Sequence, residues 1–201
     1  MHRVPTTLRR WPTLNRETRG NWRIFTLQTC RRSNPRTTRE ADYIVMNMPD
    51  WVNVIALTPT REVILIHQYR HGIDSVTLEI PGGMVDEGET PEDAAARELV
   101  EETGYQGDPP LLLGKVHPNP AIQDNTTWTY LIPNVLLKMQ PHLDEGEDIE
   151  VRTWPLVDIP NLMVEGAITH SLVVAAFYWL DLYERAHERE KPGIKGSLDA
   201  P

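Results

Sequence analysis

What this chain has little of narrows it first. Cysteine occurs once, at Cys30, which excludes an internal disulfide framework and leaves no thiolate cluster for a metal. No apolar run approaches the ~20 residues that span a bilayer as a helix. The longest, residues 172–180, is about nine residues long and meets Asp181 at once. The first residues lack the apolar stretch of a secretory signal. Lysine clusters and internal repeats are missing too. These absences point to a cytoplasmic protein. What is present is ordinary: 40% of the 201 residues are hydrophobic, enough for a real core and too many for wholesale disorder. The length suits one domain with an added arm.

Charge is distributed unevenly. Residues 1–40 hold ten Arg against two Glu, a balance of +8, which leaves −17 on the rest of a chain whose net charge is −9. A basic arm on an acidic body is compatible with nucleic-acid binding, but this one is short and has no interleaved Lys. Its Arg and Thr content also resembles a transit peptide. The plainer alternative is an edge that packs against a partner subunit or faces anionic ligands.

Along the chain, residues 1–20 read as a loose lead-in, and 22–31 and 41–48 as strands. Two short Val/Ile-rich runs, 52–58 and 62–67, flank Pro59–Arg61 and predict adjacent strands with a tight turn. A strand over 76–80 stops at Pro81-Gly82-Gly83. Thr90-Pro91-Glu92-Asp93 then opens a helix, with Thr90 as cap, Pro91 at the first helical position and acids at the positive end of the dipole. Gly104 ends it. Strands follow over 111–116, 126–132 and 150–154, and a helix with a broad apolar face over 171–185. The expected architecture is α/β, a mixed sheet with helices on both sides. Residues 1–50 form an N-terminal arm with strands, 51–188 the main domain and 189–201 a flexible tail.

The helix after Pro91 carries the chemistry. Glu98 and Glu102 are four residues apart and Glu101 is three from Glu98, so three carboxylates share one face. Like charges that close repel, and a divalent cation removes the cost. Oxygen ligands of this type suit Mg²⁺ or Mn²⁺, which keep several waters and bridge to phosphates. The plain alternative for such a helix is a solvated acidic face. Gly82 and Gly83 let backbone come close and free carbonyl oxygens, and Arg97 can pair with Glu89 in the preceding loop.

This segment resembles the Nudix box, G-x5-E-x7-R-E-U-x-E-E-x-G-U with U aliphatic. Gly83, Glu89, Arg97, Glu98, Leu99, Glu101, Glu102 and Gly104 match, and Tyr105 departs from the last aliphatic position. Seven fixed identities at roughly one in fifteen each arise by chance on the order of once per million chains. The resemblance implies a Nudix fold, an α/β/α sandwich around a mixed sheet. It implies that Glu98, Glu101 and Glu102 bind Mg²⁺ or Mn²⁺ with the Gly82 carbonyl, that Glu98 and Glu102 act in catalysis, and that Glu89 and Arg97 form a structural pair. The reaction implied is attack of water on a pyrophosphate phosphorus.

Other residues are similar to the ADP-ribose and nucleotide-sugar pyrophosphatases. His67-Gln68-Tyr69-Arg70-His71 and Leu78-Glu79-Ile80-Pro81-Gly82-Gly83 match that branch, in which the arginine at Arg70 contacts the diphosphate; Glu79 joins it on the substrate side. Pro120 stands where the branch has its marker proline, followed here by Ala121 in place of glycine. A bland reading is that the prolines around it only end the preceding strand. By the same resemblance the acidic loop Asp144-Glu145-Gly146-Glu147-Asp148 supplies the catalytic base, Glu145, with Glu147 supporting it. The branch also implies a homodimer with exchanged N-terminal strands. The implied substrate is ADP-ribose or a related nucleoside diphosphate sugar. Alternatives within the resemblance are an ADP-ribose sensor with weak catalysis, or a hydrolase of NADH, nucleoside triphosphates or dinucleoside polyphosphates.

Overall fold

The structure is a computed structural model that describes residues 4–190; the flexible tail expected over 189–201 falls almost wholly outside those residues. The chain divides into two units, one made of the segment up to Asp50 with His117–Thr126, the other of Trp51–Val116 and the chain from Thr127 onward.

In the first unit three strands, β1 (Thr13–Trp22), β2 (Phe25–Ser33) and β3 (Glu40–Asn47), form an antiparallel meander in that order. The lead-in expected over residues 1–20 is therefore corrected in its second half, and the strand expected to begin at residue 22 begins after a turn. The hairpin closes where Trp22 pairs with Phe25, their rings stacked 5.0 Å apart. Gly20 is required beneath, since a Cβ there would strike the Trp22 ring. Cys30 is the one buried residue of the three strands. The 117–126 loop is tied to β3: the Met46 N–H donates to the Ile122 carbonyl (2.7 Å), and the Asp124 carboxylate accepts from Asn47 Nδ2 (2.8 Å) and the Met48 N–H (3.1 Å).

The second unit holds two three-stranded sheets. One has the order β11 (Ile149–Pro155), β5 (Glu62–Arg70), β6 (Ser75–Glu79), all antiparallel. The other has β4 (Trp51–Ala56), β9 (Thr127–Ile132), β8 (Leu111–Val116), with β4 parallel to β9. β4 and β5 meet only at their shared turn, through the Leu57–Val63 bridge and the Thr58–Glu62 hydrogen bond, and then part into different sheets. Both are buried on two faces, which is why they read as continuous apolar runs and not as alternating ones. Val52, Val54, Ala56 and Ile64 pack with Ala94, Ala95 and Leu99 of α1 (Pro91–Thr103). Ile55, Leu57, Val63 and Leu65 pack on the opposite side with Ile159 of α2 (Ile159–Val164) and Val173, Ala176, Phe177 and Leu180 of α3 (Ser171–Glu190). Helices thus cover both faces. Truncating a fully buried member such as Leu99 or Leu65 to Ala would cost about 2–5 kcal/mol. Two short strands, β7 (Tyr105–Gln106) and β10 (Leu136–Leu137), pair beside the end of α1. No helix among the described residues is long and apolar enough to cross a membrane.

Candidate active site

The site is built on α1. Thr90 caps it in an extended conformation, its Oγ1 accepting the Asp93 N–H at 3.2 Å, with Pro91 in the first turn. At the other end Gly104 takes φ +73°, and its N–H donates to the Val100 carbonyl. Between these caps Ala94, Ala95 and Leu99 face the core. Glu98 and Glu102 therefore lie a little round the helix, where the extended segment after β6 runs beside β4.

That segment explains the paired glycines. The Pro81 and Gly83 carbonyls accept from the Val54 and Val52 N–H groups at 2.8 and 2.9 Å. Gly82, between them, turns its peptide the other way, and its N–H donates to the Glu102 carboxylate at 2.9 Å. A Cβ on Gly82 would run into the Val52 carbonyl; one on Gly83 would run into the Glu98 carboxylate. Backbone and acids approach closer than any side chain allows.

Glu102 is 2% exposed. Burial pushes its pKa well above the ordinary carboxylate range, the Gly82 N–H pulls it down, and the charges of Glu98 and Glu147 push it up again. Glu98 is raised to about 7, chiefly by burial, against the pull of Arg97 and with a push from Glu101 and Glu147. Glu101 is more open. Its carboxylate accepts from Arg97 Nη1 at 2.9 Å. Arg97 also donates to both oxygens of Glu89 (2.9 Å each), to Glu98 (2.8 Å) and to the Met84 carbonyl (3.1 Å), so one guanidinium joins the 84–89 loop to the helix. The hydrogen bond from Arg97 holds the Glu89 carboxyl below its usual range.

In this placement no three His, Cys, Asp or Glu side chains of the described residues form a ready ligand cluster. The donor set nevertheless suits a hard divalent ion. Burial raises both the Glu98 and Glu102 carboxyls, the charge of Glu98 adds to the push on Glu102, and a cation beside them would offset the repulsion and the burial cost.

Beside these acids, Arg70 at the end of β5 makes a two-point pair with Glu79 of β6, Nε at 2.8 Å and Nη2 at 2.7 Å. Glu79 is 2% exposed. Burial alone would raise its pKa, but hydrogen bonds from Arg70 and from Thr77 Oγ1 (2.6 Å) outweigh it and hold the carboxyl ionised below its usual range. The Arg70 charge reaches Glu102, and Glu147 reaches Arg70, Glu98 and Glu102. The acidic loop thus stands near the α1 carboxylates through Glu147; Glu145 is exposed at its turn. Pro120 lies in the first unit, in the loop whose Asn119 carbonyl accepts from Ile122 and Gln123. There it lines a cavity of about 400 Å³ with Trp11, Arg32 and Tyr43.

Three neighbours were not singled out from the sequence. Thr77 orients Glu79. His170 Nδ1 accepts the Leu172 N–H at 3.2 Å and caps α3, and its pKa is lowered by burial. Gln68, on the same face of β5 as Arg70, has a buried Oε1 with no partner. A polar residue directly before the apolar run of α3 is a cap signal that could have found His170; the other two depend on strand register.

A NUDIX domain model matches residues 48–176. The chain is 30% identical over 141 residues to an ADP-ribose pyrophosphatase of Bacillus subtilis, covering 70% of this chain and 76% of that one. It is 36% identical over 138 residues to an ADP-sugar pyrophosphatase of Mus musculus, covering 65% and 62%. A solved structure of an ADP compounds hydrolase superposes with a TM-score of 0.80 at 23% identity, over 92% of this chain and all of that one, which shows the same fold. Nudix hydrolases generally use a divalent metal. The chain belongs to the Nudix family, as a hydrolase on the branch that includes the ADP-ribose and ADP-sugar pyrophosphatases.

Proposed function

We propose that this enzyme hydrolyses the diphosphate bond of ADP-ribose or a related nucleoside diphosphate sugar, releasing a nucleoside monophosphate and a sugar phosphate. The observation that carries the reading is the pair Glu98 and Glu102, sunk against Gly82-Gly83, with Glu147 pushing the Glu102 pKa up and Arg70 pulling it down. Mg²⁺, with Mn²⁺ able to replace it, would be held by Glu98, Glu101, Glu102 and the Gly82 carbonyl. When bound it neutralises the diphosphate, orients the attacking water and takes up charge on the leaving oxygen.

The chain's own groups do the rest. Arg70 binds a diphosphate oxygen, and Glu79, itself oriented by Thr77, keeps the guanidinium from turning away. The acidic loop takes the proton of the attacking water through Glu145, with Glu147 supporting it. Pro120, in its own loop of the first unit, is a further residue we assign to substrate contact.

A homodimer with exchanged N-terminal strands completes the proposal, with residues 1–50 serving dimerisation and substrate contacts and 51–188 the chemistry. Its support is the β1–β3 sheet, which leaves Leu14, Trp22, Ile24, Tyr43 and Ile44 between 39% and 51% exposed and contributes to neither buried apolar cluster. Covering those residues gains roughly 25 cal/mol per Å² of apolar area. We place the enzyme in the cytoplasm, where a lone buried cysteine stays reduced.

A substrate panel with Mg²⁺ tests the activity: ADP-ribose, nucleotide sugars, NADH, nucleoside triphosphates and diadenosine polyphosphates. AMP and ribose 5-phosphate from ADP-ribose are expected as the fastest products. Turnover confined to triphosphates would overturn the substrate assignment.

A further inference from the structure

We propose that Gln68 is a positioning residue of this reaction: on substrate binding its carboxamide oxygen accepts a main-chain N–H of the 144–148 loop and so sets the loop's catalytic acid. The inference rests on the hydrolase reading above.

Along β5, Ile64 packs in the cluster on the α1 side, so Ile66, Gln68 and Arg70 follow on that face. In register, Gln68 stands between Thr77 of β6 and Ile149, the first residue of β11. On one side lie Arg70, Glu79 and Thr77; on the other, the acidic loop ends. Gln68 Oε1 is sealed from solvent there without a hydrogen-bond partner. An unsatisfied buried acceptor is costly, and each such group calls for an explanation in function or in bound solvent. Thr77 cannot serve, because its hydroxyl is committed to Glu79 at 2.6 Å and sits 3.2 Å from the Gln68 carbonyl.

The loop holds a donor that can be released. It is closed on itself: the Glu147 N–H donates to the Asp144 carbonyl (3.0 Å), and the Glu147 carboxylate accepts the Asp144 N–H (3.2 Å). While that bond stands, a Glu147 oxygen accepts the Asp144 N–H of the same loop. Turning the carboxylate toward the attacking water frees the Asp144 N–H, exposed at the loop surface, to take another acceptor. Gln68 Oε1 is an acceptor without a donor, next to the strand residue that ends the loop. In the proposed rearrangement Gln68 Oε1 takes a donor from the loop and holds it beside the α1 acids.

Gln68→Leu keeps the volume and removes the carboxamide. With ADP-ribose and Mg²⁺, kcat should fall about 10- to 100-fold, the loss typical of a misplaced catalytic group, while KM changes less than about threefold. The thermal midpoint without substrate should hold or rise, since an unpaired buried acceptor has been deleted. Amide hydrogen exchange with an α,β-methylene analogue gives a second readout: the peptide spanning 141–149 should gain protection in the wild type and not in the variant. Unchanged kcat, a rise in KM alone, or loss of midpoint together with kcat would each overturn the proposal. Failure of the wild type itself to cleave any nucleoside diphosphate sugar would instead remove the hydrolase reading, and this inference with it.

Discussion

Gly82 and Gly83 are neighbours that the structure requires for different reasons, and a methyl group added to each should fail differently. At Gly82 the added Cβ meets the carbonyl of Val52 and the Cα of Asn53, both backbone atoms of a central strand. Neither can move without disturbing the Val54–Pro81 and Val52–Gly83 hydrogen bonds on either side. Gly82→Ala should therefore act as overpacking of a rigid site, costing about 1–3 kcal/mol or more, which for a chain of this size lowers the melting midpoint by roughly 3–10 °C. At Gly83 the added Cβ meets only the carboxylate of Glu98, the end of a flexible side chain. Glu98 can swing aside with Arg97, which already holds it at 2.8 Å. Gly83→Ala should leave the melting midpoint within about 1–3 °C of wild type, inside the range of ordinary surface changes. Its kcat/KM should drop at least 10- to 100-fold, because a carboxylate expected to hold the metal has been displaced. The assay pairs differential scanning calorimetry with hydrolysis rates normalised to folded protein. The reasoning is refuted if Gly83→Ala is as unstable as Gly82→Ala while keeping wild-type turnover per folded molecule.

Four further outcomes follow from the same geometry. Glu102→Gln copies the protonated form that burial already favours, so the fold should keep or gain stability while turnover falls about 10³-fold or more; near-normal rates with Mg²⁺ would remove Glu102 from the metal site. Of the loop acids, the true base should lose roughly 10²–10⁴-fold in kcat on conversion to Gln, and comparing Glu145→Gln with Glu147→Gln identifies it, whereas two silent variants would place the base elsewhere. His170 is held below its ordinary pKa first by burial and then by Arg70, against the pull of Glu79, so the folded state binds fewer protons there than the unfolded chain. The stability it contributes is therefore full above pH ~6.5 and is lost as pH falls from there toward the lowered folded value, where a protonated Nδ1 cannot accept the Leu172 N–H. His170→Asn keeps a cap without titrating, and the difference between its melting midpoint and that of wild type should shift in its favour on going from pH 7 to 5; a constant difference would refute the argument. Light scattering should give a dimer mass, and a value near 23 kDa at micromolar concentration would end the exchanged-strand proposal.

What the sequence made legible, and what it did not, follows from how local each cause is. The α1 caps are read within four residues, as Thr90 followed by Asp93 and Gly104 reaching back to Val100, and both ends fall where those signals put them. The β4 and β5 runs are legible because burial on both faces leaves an unbroken apolar string. β1 carries no such string: its ten residues are exposed except for half-buried Gly20, so no alternation marks it, and the strand exists because β2 pairs with it. β7 and β10 are two residues each, created by the close approach of Gly104 to the 137–139 segment, with Lys138 donating to the Gly104 carbonyl. The same division runs through the site. Glu98, Glu101 and Glu102 share a helix face by spacing alone. Gln68, Thr77 and Ile149 come together only through the register of three strands whose partners lie 9 and 81 residues apart in the chain. A residue whose work depends on such a pairing looks like any other strand polar residue until the sheet is assembled. That is why the three α1 acids could be named from the sequence, while Gln68, which we expect to govern how the acidic loop meets them, could not.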